Sequence, residues 1–171
     1  MPIDWRQLAL ELGSLDELHL GREAGGIHYA ERALEKILGD DTIHDTVYFI
    51  VDDGGPGAEV ATNVLQHIMS LSATELAYEI YKSSTGLRAS FAVMLIKRIA
   101  HPRAVEWIKE FLEDDNVAVW GVGVLDQLLW CSRVEPEAVE NLLVLAEHHP
   151  IENVREQAQG IRSYLAHRLS D

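Results

Sequence analysis

The sequence predicts an all-α fold, and three observations support this prediction. Apolar residues recur at spacings of three and four along almost the whole chain, which is the pattern of helices with a buried face. Runs that alternate apolar and polar residues between turn signals, as strands do, are not found in the sequence. Glycine, proline and short polar runs divide the pattern into nine or ten helices, and such short connections favour antiparallel neighbours.

The positions of these interruptions place the individual helices. Gly39 ends the second helix, the run at 52–57 ends the third, and Pro150 follows the ninth. Helices are therefore expected at about 3–12, 22–38, 41–51, 57–69, 73–82, 87–99, 103–113, 117–130, 136–148 and 152–169. Because 171 residues of 47% apolar composition can bury one sizeable core, we expect a single domain over 1–171.

The second helix of each proposed pair repeats along the chain. The equivalent first positions, at intervals of 29, 30 and 37 residues, are Ala58, Leu87, Val117 and Val154. The residues seven positions later are Leu65, Met94, Val124 and Ile161. The residues six positions later are Val64, Val93, Gly123 and Gly160. Each second helix thus offers an apolar seam that only a stacked neighbour can bury, as in a helical solenoid.

The first residues of two of these helices resemble the HEAT-repeat family. Second helices of that family often begin with Asp or Asn, then Val, then Arg, and this chain has Asn153-Val154-Arg155 and Asn116-Val117. The resemblance implies a short right-handed α-solenoid of antiparallel helix pairs. About four pairs are expected over 41–170, with an N-terminal cap or half repeat over 1–40.

The helix at 117–130 is apolar on almost every side, which predicts that it lies at the centre of the core. Gly121 and Gly123 each destabilise a helix by about 1 kcal/mol relative to Ala, so we expect another helix to approach closely there. Cys131 directly follows this helix, and we expect a buried, unreactive thiol.

The sequence contains no strong motif for catalysis, phosphate binding or metal binding. The glycine-rich run at 52–57 follows a helix rather than a strand and no Lys follows it, which favours a turn over a phosphate-binding loop. Six of the eight histidines stand singly, and His148 and His149 are adjacent, so no metal-binding spacing is present. We therefore expect a protein that is not an enzyme and that has no cofactor and no metal site.

The charge balance indicates the class of partner. Acidic residues number 28 against 14 basic ones, giving a net charge of −14, which disfavours binding to nucleic acid and favours a basic protein. The longest apolar stretch, 117–125, is about half of a bilayer span, so membrane insertion is not expected. The single Cys131 and a first segment without the features of a secretory signal favour the cytoplasm. The sequence does not indicate an oligomeric state.

Taken together, these features resemble the immunity proteins of bacterial polymorphic and contact-dependent toxin systems. The resemblance lies in size, acidity and helical repeats, and in the segment at 119–128. It implies that acidic side chains pair with a basic toxin domain, often a nuclease, and that an aromatic side chain fills a cleft in it. The candidate partner-binding residues are Asp52, Asp53, Glu110, Asp114, Asp115, Trp120 and Asp126.

Two alternatives remain open at this point. The first is a HEAT-like scaffold or adaptor, including relatives of the repeat proteins associated with phycobilin lyases. The second is an enzyme resembling the HEAT-fold DNA glycosylases, which would need a basic groove. Only the segment at 56–100 is positive, with four bases against three acids. Trp120 and Trp130 cannot both face the seam, so at least one is expected to face outward.

Overall fold

The computed structural model describes residues 3–15, 24 and 26–168, and this part of the chain contains ten α-helices and no strand. The helices are α1 (Trp5–Leu12), α2 (Ile27–Leu38), α3 (Asp40–Tyr48), α4 (Ala58–His67), α5 (Leu71–Ser83), α6 (Gly86–Ile99), α7 (Ile108–Glu113), α8 (Ala118–Trp130), α9 (Glu140–Glu147) and α10 (Glu152–Arg168). The prediction of an all-α fold is confirmed. None of these helices combines the length and the apolar character that a bilayer span requires.

Three helices are preceded or followed by a turn of another helical type. A π-helical turn, Phe49–Asp53, extends α3, and the 3₁₀ turns Pro102–Trp107 and Pro136–Val139 lead into α7 and α9. Both 3₁₀ turns begin at proline, whose fixed φ and missing N–H suit the first helical position. The expected helix at 22–38 is described only from Ile27, and residues 22 and 169 lie outside the described part of the chain.

The helices contact one another in a regular order. Each of α5, α7 and α9 packs against the helix that follows it, namely α6, α8 and α10. Contacts also join α3 to α5 and α7 to α9, and a second series joins α4 to α6, α6 to α8 and α8 to α10. At the N-terminal end α1 packs against α2, and α2 packs against α3.

Helix α8 lies at the centre of the core, as its composition predicts. It contacts α6, α7, α9 and α10, and Val122, Val124 and Leu128 on it are fully buried. A Cβ atom on Gly121 would lie 2.7 Å from Cβ of Phe111 on α7, closer than real atoms approach. The expected close approach at Gly121 is therefore confirmed.

The seam predicted for the second helices is correct for most of its residues, including Val93 of α6, and wrong at Val64 of α4, Leu87 of α6 and Gly160 of α10, which are exposed. Val124 and Ile161 are buried on α8 and α10, as is Leu65 on α4. Leu87, in contrast, is 75% exposed, and α6 buries Ala89 instead. Leu87 lies in the first turn of α6, and the small Ala89, two positions later, is the first residue that packs against the core.

The prediction of a buried Cys131 is also wrong. Cys131 is exposed because α8 ends at Trp130, and the chain leaves the core at that point. The Cys131 sulfur accepts a hydrogen bond from Nε2 of Gln127 at 3.1 Å. Trp130 is 64% exposed, which confirms that at least one of the two tryptophans of α8 faces outward.

Two glycine substitutions test the packing of α8. We expect Gly121→Ala to lower the free energy of unfolding by about 1–3 kcal/mol, because the added methyl group overlaps Phe111. Gly160→Ala in α10 is the matched control, since its added methyl group meets no atom within 4 Å and Ala is the better helix former by about 1 kcal/mol. Urea denaturation measures both. Equal stabilisation by the two substitutions would contradict the close approach of α7 and α8.

Candidate functional site

Four loops, which lead from α3 to α4, from α5 to α6, from α7 to α8 and from α9 to α10, are linked by side-chain hydrogen bonds into a series that we call the loop edge. It comprises residues 52–57, 84–85, 114–117 and 148–151. Arg88 bonds to both Asp52 and Ser84, which links the first two loops. Tyr81, at the end of α5, bonds to Asp114 and so links the second loop to the third. The fourth loop is joined to the end of α7 by His149.

Asp52 and Asp53 lie at the end of the π-helical turn, where Gly54 adopts a left-handed conformation with φ of 57°. The Arg88 guanidinium donates to both carboxylate oxygens of Asp52, at 2.6 and 3.2 Å, and this bond raises the pKa of Arg88. Asp53 is exposed and forms no ion pair with any described residue. Of the two predicted residues, only Asp53 is thus free of an internal cation.

Glu110 is held by two side chains of α5. The Tyr78 hydroxyl donates to its Oε2 at 2.6 Å, and the Lys82 ammonium donates to its Oε1. The Tyr78 ring in turn stacks on Trp107, with centroids 4.1 Å apart and planes 6° from parallel. Partial burial raises the pKa of Glu110, but the bonds from Lys82 and Tyr78 together outweigh it, and the pKa is lowered overall.

The two tyrosines of this cluster have strongly shifted pKa values. The hydrogen bond to Glu110, with a smaller effect of burial, raises the pKa of Tyr78 to about 12. Burial, with the nearby charge of Asp114, raises the pKa of Tyr81 to about 12. Both phenols are therefore neutral donors at physiological pH, and they position the two carboxylates rather than exchange protons with them.

The third loop holds Asp114 and Asp115. Asp114 ends α7, and its Oδ1 accepts the backbone N–H of Asn116 at 3.0 Å and the side-chain amide of Asn116 at 2.9 Å. His149 is buried and donates from Nε2 to the carbonyl oxygen of Leu112 at 2.7 Å, which fixes the neighbouring loop. Asp115 is exposed and pairs with no described residue.

Trp120 and Asp126 lie apart from the loop edge, on α8 beside α6. The Lys97 ammonium lies 5.8 Å from the centroid of the Trp120 ring, a cation–π distance. Asp126 is half-buried, and burial raises its pKa although the charge of Lys97 acts in the opposite direction. The seven candidate residues thus form two groups, five on or beside the loop edge and two around Lys97.

Several apolar side chains of α4, α6 and α8 are exposed, and of these the sequence analysis anticipated only that at least one of Trp120 and Trp130 faces outward. They are Val60, Val64, Leu87, Phe91 and Trp130, with exposed fractions of 68, 43, 75, 41 and 64%. The Trp130 ring lies 5.1 Å from that of Tyr164 on α10. The spacing of four between Leu87 and Phe91 is a helical signal that could have identified their shared face, but assigning Leu87 to the buried seam concealed it.

The loop edge presents exposed carboxylates that can bind a cationic group. Two cations beside it, Lys82 and Arg88, are already engaged by carboxylates, whereas Asp53 and Asp115 form no ion pair with a described residue. No group of three His, Cys, Asp or Glu among the described residues is placed to hold a metal ion. The arrangement can attract a basic surface and present rigidly held carboxylates to it.

Alkaline titration tests the Tyr78–Glu110 contact. A tyrosine with a pKa near 10 when unfolded and about 12 when folded stabilises the fold below pH 10, and this contribution is lost as the pH rises to 12. We therefore expect the wild type to lose its advantage over Tyr78→Phe between about pH 10 and 12 in urea denaturation. Tyr48→Phe, at an exposed tyrosine, is the control. A constant difference between the wild type and Tyr78→Phe would contradict the contact.

Comparison with protein-family models, with curated proteins and with solved structures finds no match to this chain. The features of the chain that bear on its function are the loop edge, the Trp120–Lys97–Asp126 group and the exposed apolar side chains.

Proposed function

We propose that this chain is a non-catalytic protein-binding module, and specifically an immunity protein that binds and neutralises a basic toxin domain. The observation that carries the proposal is the set of exposed carboxylates that have no cationic partner among the described residues. These residues are Asp4, Asp40, Asp41, Asp45, Asp53, Glu79, Asp115, Glu135, Glu137, Glu152 and Glu156. A basic protein can neutralise them, and nucleic acid cannot.

The basic side chains support the same proposal, because most of them are occupied within the chain. Lys36, Lys82, Arg88, Arg98, Arg103, Lys109 and Arg162 form ion pairs with carboxylates. Arg32 and Arg155 donate to backbone carbonyl oxygens. Few cations among the described residues are left for phosphate groups, which disfavours an enzyme that resembles the HEAT-fold DNA glycosylases.

The proposal includes the HEAT-like arrangement, a short right-handed solenoid of antiparallel helix pairs. It is supported by the two series of contacts, α3–α5 with α7–α9 and α4–α6–α8–α10, because stacked repeats place equivalent helices side by side. A solenoid presents an extended surface, and its default role is to bind another macromolecule. The exposed Cys131 is the chain's single cysteine and suits a reducing compartment, so we place the protein in the cytoplasm.

A HEAT-like scaffold is the second candidate, favoured by one observation. The exposed Val60, Leu87, Phe91 and Trp130 lie on second helices, where apolar contacts hold stable partners regardless of charge. Such a scaffold would bind housekeeping proteins, and its binding would depend little on salt.

Capture of the partner distinguishes these functions. The tagged full chain is incubated with lysate of its source cells, washed at graded salt, and the bound proteins are identified by mass spectrometry. We expect one basic protein in stoichiometric amount, toxic when expressed alone and harmless when co-expressed with this chain. Several housekeeping partners that stay bound at high salt would contradict the proposal and favour the scaffold. Tight binding of duplex DNA at low salt would contradict it and favour the enzyme.

Charge reversal then tests the loop edge. We expect Asp53→Lys with Asp115→Lys to slow association with the captured partner by about tenfold at low salt, because steering by opposite charge is lost. Glu135→Lys with Glu137→Lys is the matched control, with the same change in charge at exposed residues near the 3₁₀ turn before α9. Stopped-flow kinetics at low and high salt measure the effect. Equal slowing by both pairs would exclude a specific role of the loop edge.

A further inference from the structure

Helix α2 presents an apolar stripe to solvent. Ile27, Leu34 and Ile37 are 74, 47 and 41% exposed, and their spacings of seven and three place them on one face of the helix. The single buried residue of α2 is Glu31. A helix of 12 residues is marginal by itself in water and normally depends on burial of its apolar face. The described residues therefore leave this stripe without the packing that such a helix usually has.

Polar contacts hold α2 in place instead. The Glu35 carboxylate accepts a bond from the Ser72 N–H at 3.1 Å, and the Arg32 guanidinium donates to the carbonyl oxygen of Leu12 at 3.3 Å. Lys36 pairs with Glu11 of α1 at 3.4 Å. These contacts position the helix without covering its apolar stripe.

The stripe ends in a cleft between α1, the end of α2 and the start of α3. The cleft has a volume of about 500 Å³, and Ile37 belongs both to it and to the stripe. Ile3 and Leu8 add apolar surface to the cleft, and Asp4, Glu11 and Asp40 add carboxylates, with Lys36 as the one cation in this lining. The cleft thus combines an apolar wall with a net negative charge.

We infer that this cleft and the α2 stripe together form the docking site for a basic amphipathic helix of the protein partner. A lysine or arginine side chain of that helix lies in the cleft, with its aliphatic stem along Ile37 and its charged end beside Asp4 and Asp40. The apolar face of the same helix covers the α2 stripe, as in other helix-in-groove complexes. The inference rests on the proposed function, and it specifies that this chain binds a helix of the partner.

Charge complementarity selects this occupant over a second copy of the chain. Residues 1–55 carry 12 acids and 4 bases, so two such surfaces brought face to face would repel each other. Anionic lipid would be repelled for the same reason. A basic helix, in contrast, satisfies both the carboxylates of the cleft and the apolar side chains of α2.

A synthetic probe tests the site directly. The probe is an amphipathic helical peptide of about 18 residues made of Leu and Lys, long enough to cover α2, and the matched peptide has Glu in place of Lys. Calorimetric titration of the full chain is expected to show binding of the Leu/Lys peptide alone, weakened by salt. Hydrogen exchange of residues 27–38 is expected to slow when the Leu/Lys peptide is bound, because the stripe becomes covered.

Substitutions then locate the binding site. Asp4→Asn with Asp40→Asn removes two charges from the cleft, and Asn at position 4 preserves the N-terminal cap of α1, in which Asp4 accepts the Gln7 N–H. We expect the dissociation constant for the Leu/Lys peptide to rise about tenfold. Leu34→Ser, which removes apolar surface and no charge, is expected to weaken binding also. Glu135→Gln with Glu137→Gln, outside the cleft, is the control and should leave binding unchanged.

Three results would overturn the inference. One is the absence of Leu/Lys binding, and another is binding that neither Asp4→Asn with Asp40→Asn nor Leu34→Ser weakens. The third is dimerisation of the free chain, in sedimentation velocity, that Leu34→Ser abolishes, since a second copy would then cover the stripe. None of these results bears on the capture of a basic toxic partner. The docking site can therefore be rejected without rejecting the proposed function.

Discussion

The packing of α8 against α7 is the constraint on which the rest of the structure depends. Gly121 has no Cβ, so the backbone and Cβ of Phe111 can lie against α8. The Phe111 ring then meets Tyr81 edge-on, with centroids 5.0 Å apart, which ties α7 to α5. Tyr81 and its neighbour Tyr78 hold Asp114 and Glu110. The positions of these carboxylates on and beside the loop edge therefore follow from one close approach between helices in the core.

The distribution of ion pairs explains why the surface remains acidic. Exposed ion pairs contribute little to stability, typically below about 1 kcal/mol each, so the pairs at Arg88 and Lys82 serve mainly to fix side-chain positions. These ion pairs also engage basic side chains, of which the chain has fewer than acidic ones. The remaining carboxylates repel one another and destabilise the compact state, and a basic partner would relieve this repulsion. Binding of such a partner would then also stabilise the fold, since a ligand of the folded state stabilises it.

The sequence was sufficient to predict the helices, the central place of α8 and the close approach at Gly121, because each depends on a local apolar pattern. It was insufficient where small residues decide the packing. In α6 the small Ala89 contacts the core. The larger apolar residue Leu87 lies two positions earlier, and the apolar pattern therefore wrongly predicts that Leu87 is buried. Glu110 was predicted to contact a protein partner, but within the chain Tyr78, 32 residues away, holds its carboxylate, and no local pattern predicts such a contact.

The loop edge and the α2 stripe would contribute in different ways to the binding of a partner. The loop edge offers charge on short, well-held loops, which increases the rate of encounter but adds little affinity at high salt. The α2 stripe offers apolar area, which adds affinity whatever the ionic strength, and most differences in affinity lie in the rate of dissociation. Glu35 bonds the N–H of Ser72 and so anchors α2 to the start of α5. A partner held by α2 is thereby connected to α5, the helix whose other end supports the carboxylates of Glu110 and Asp114.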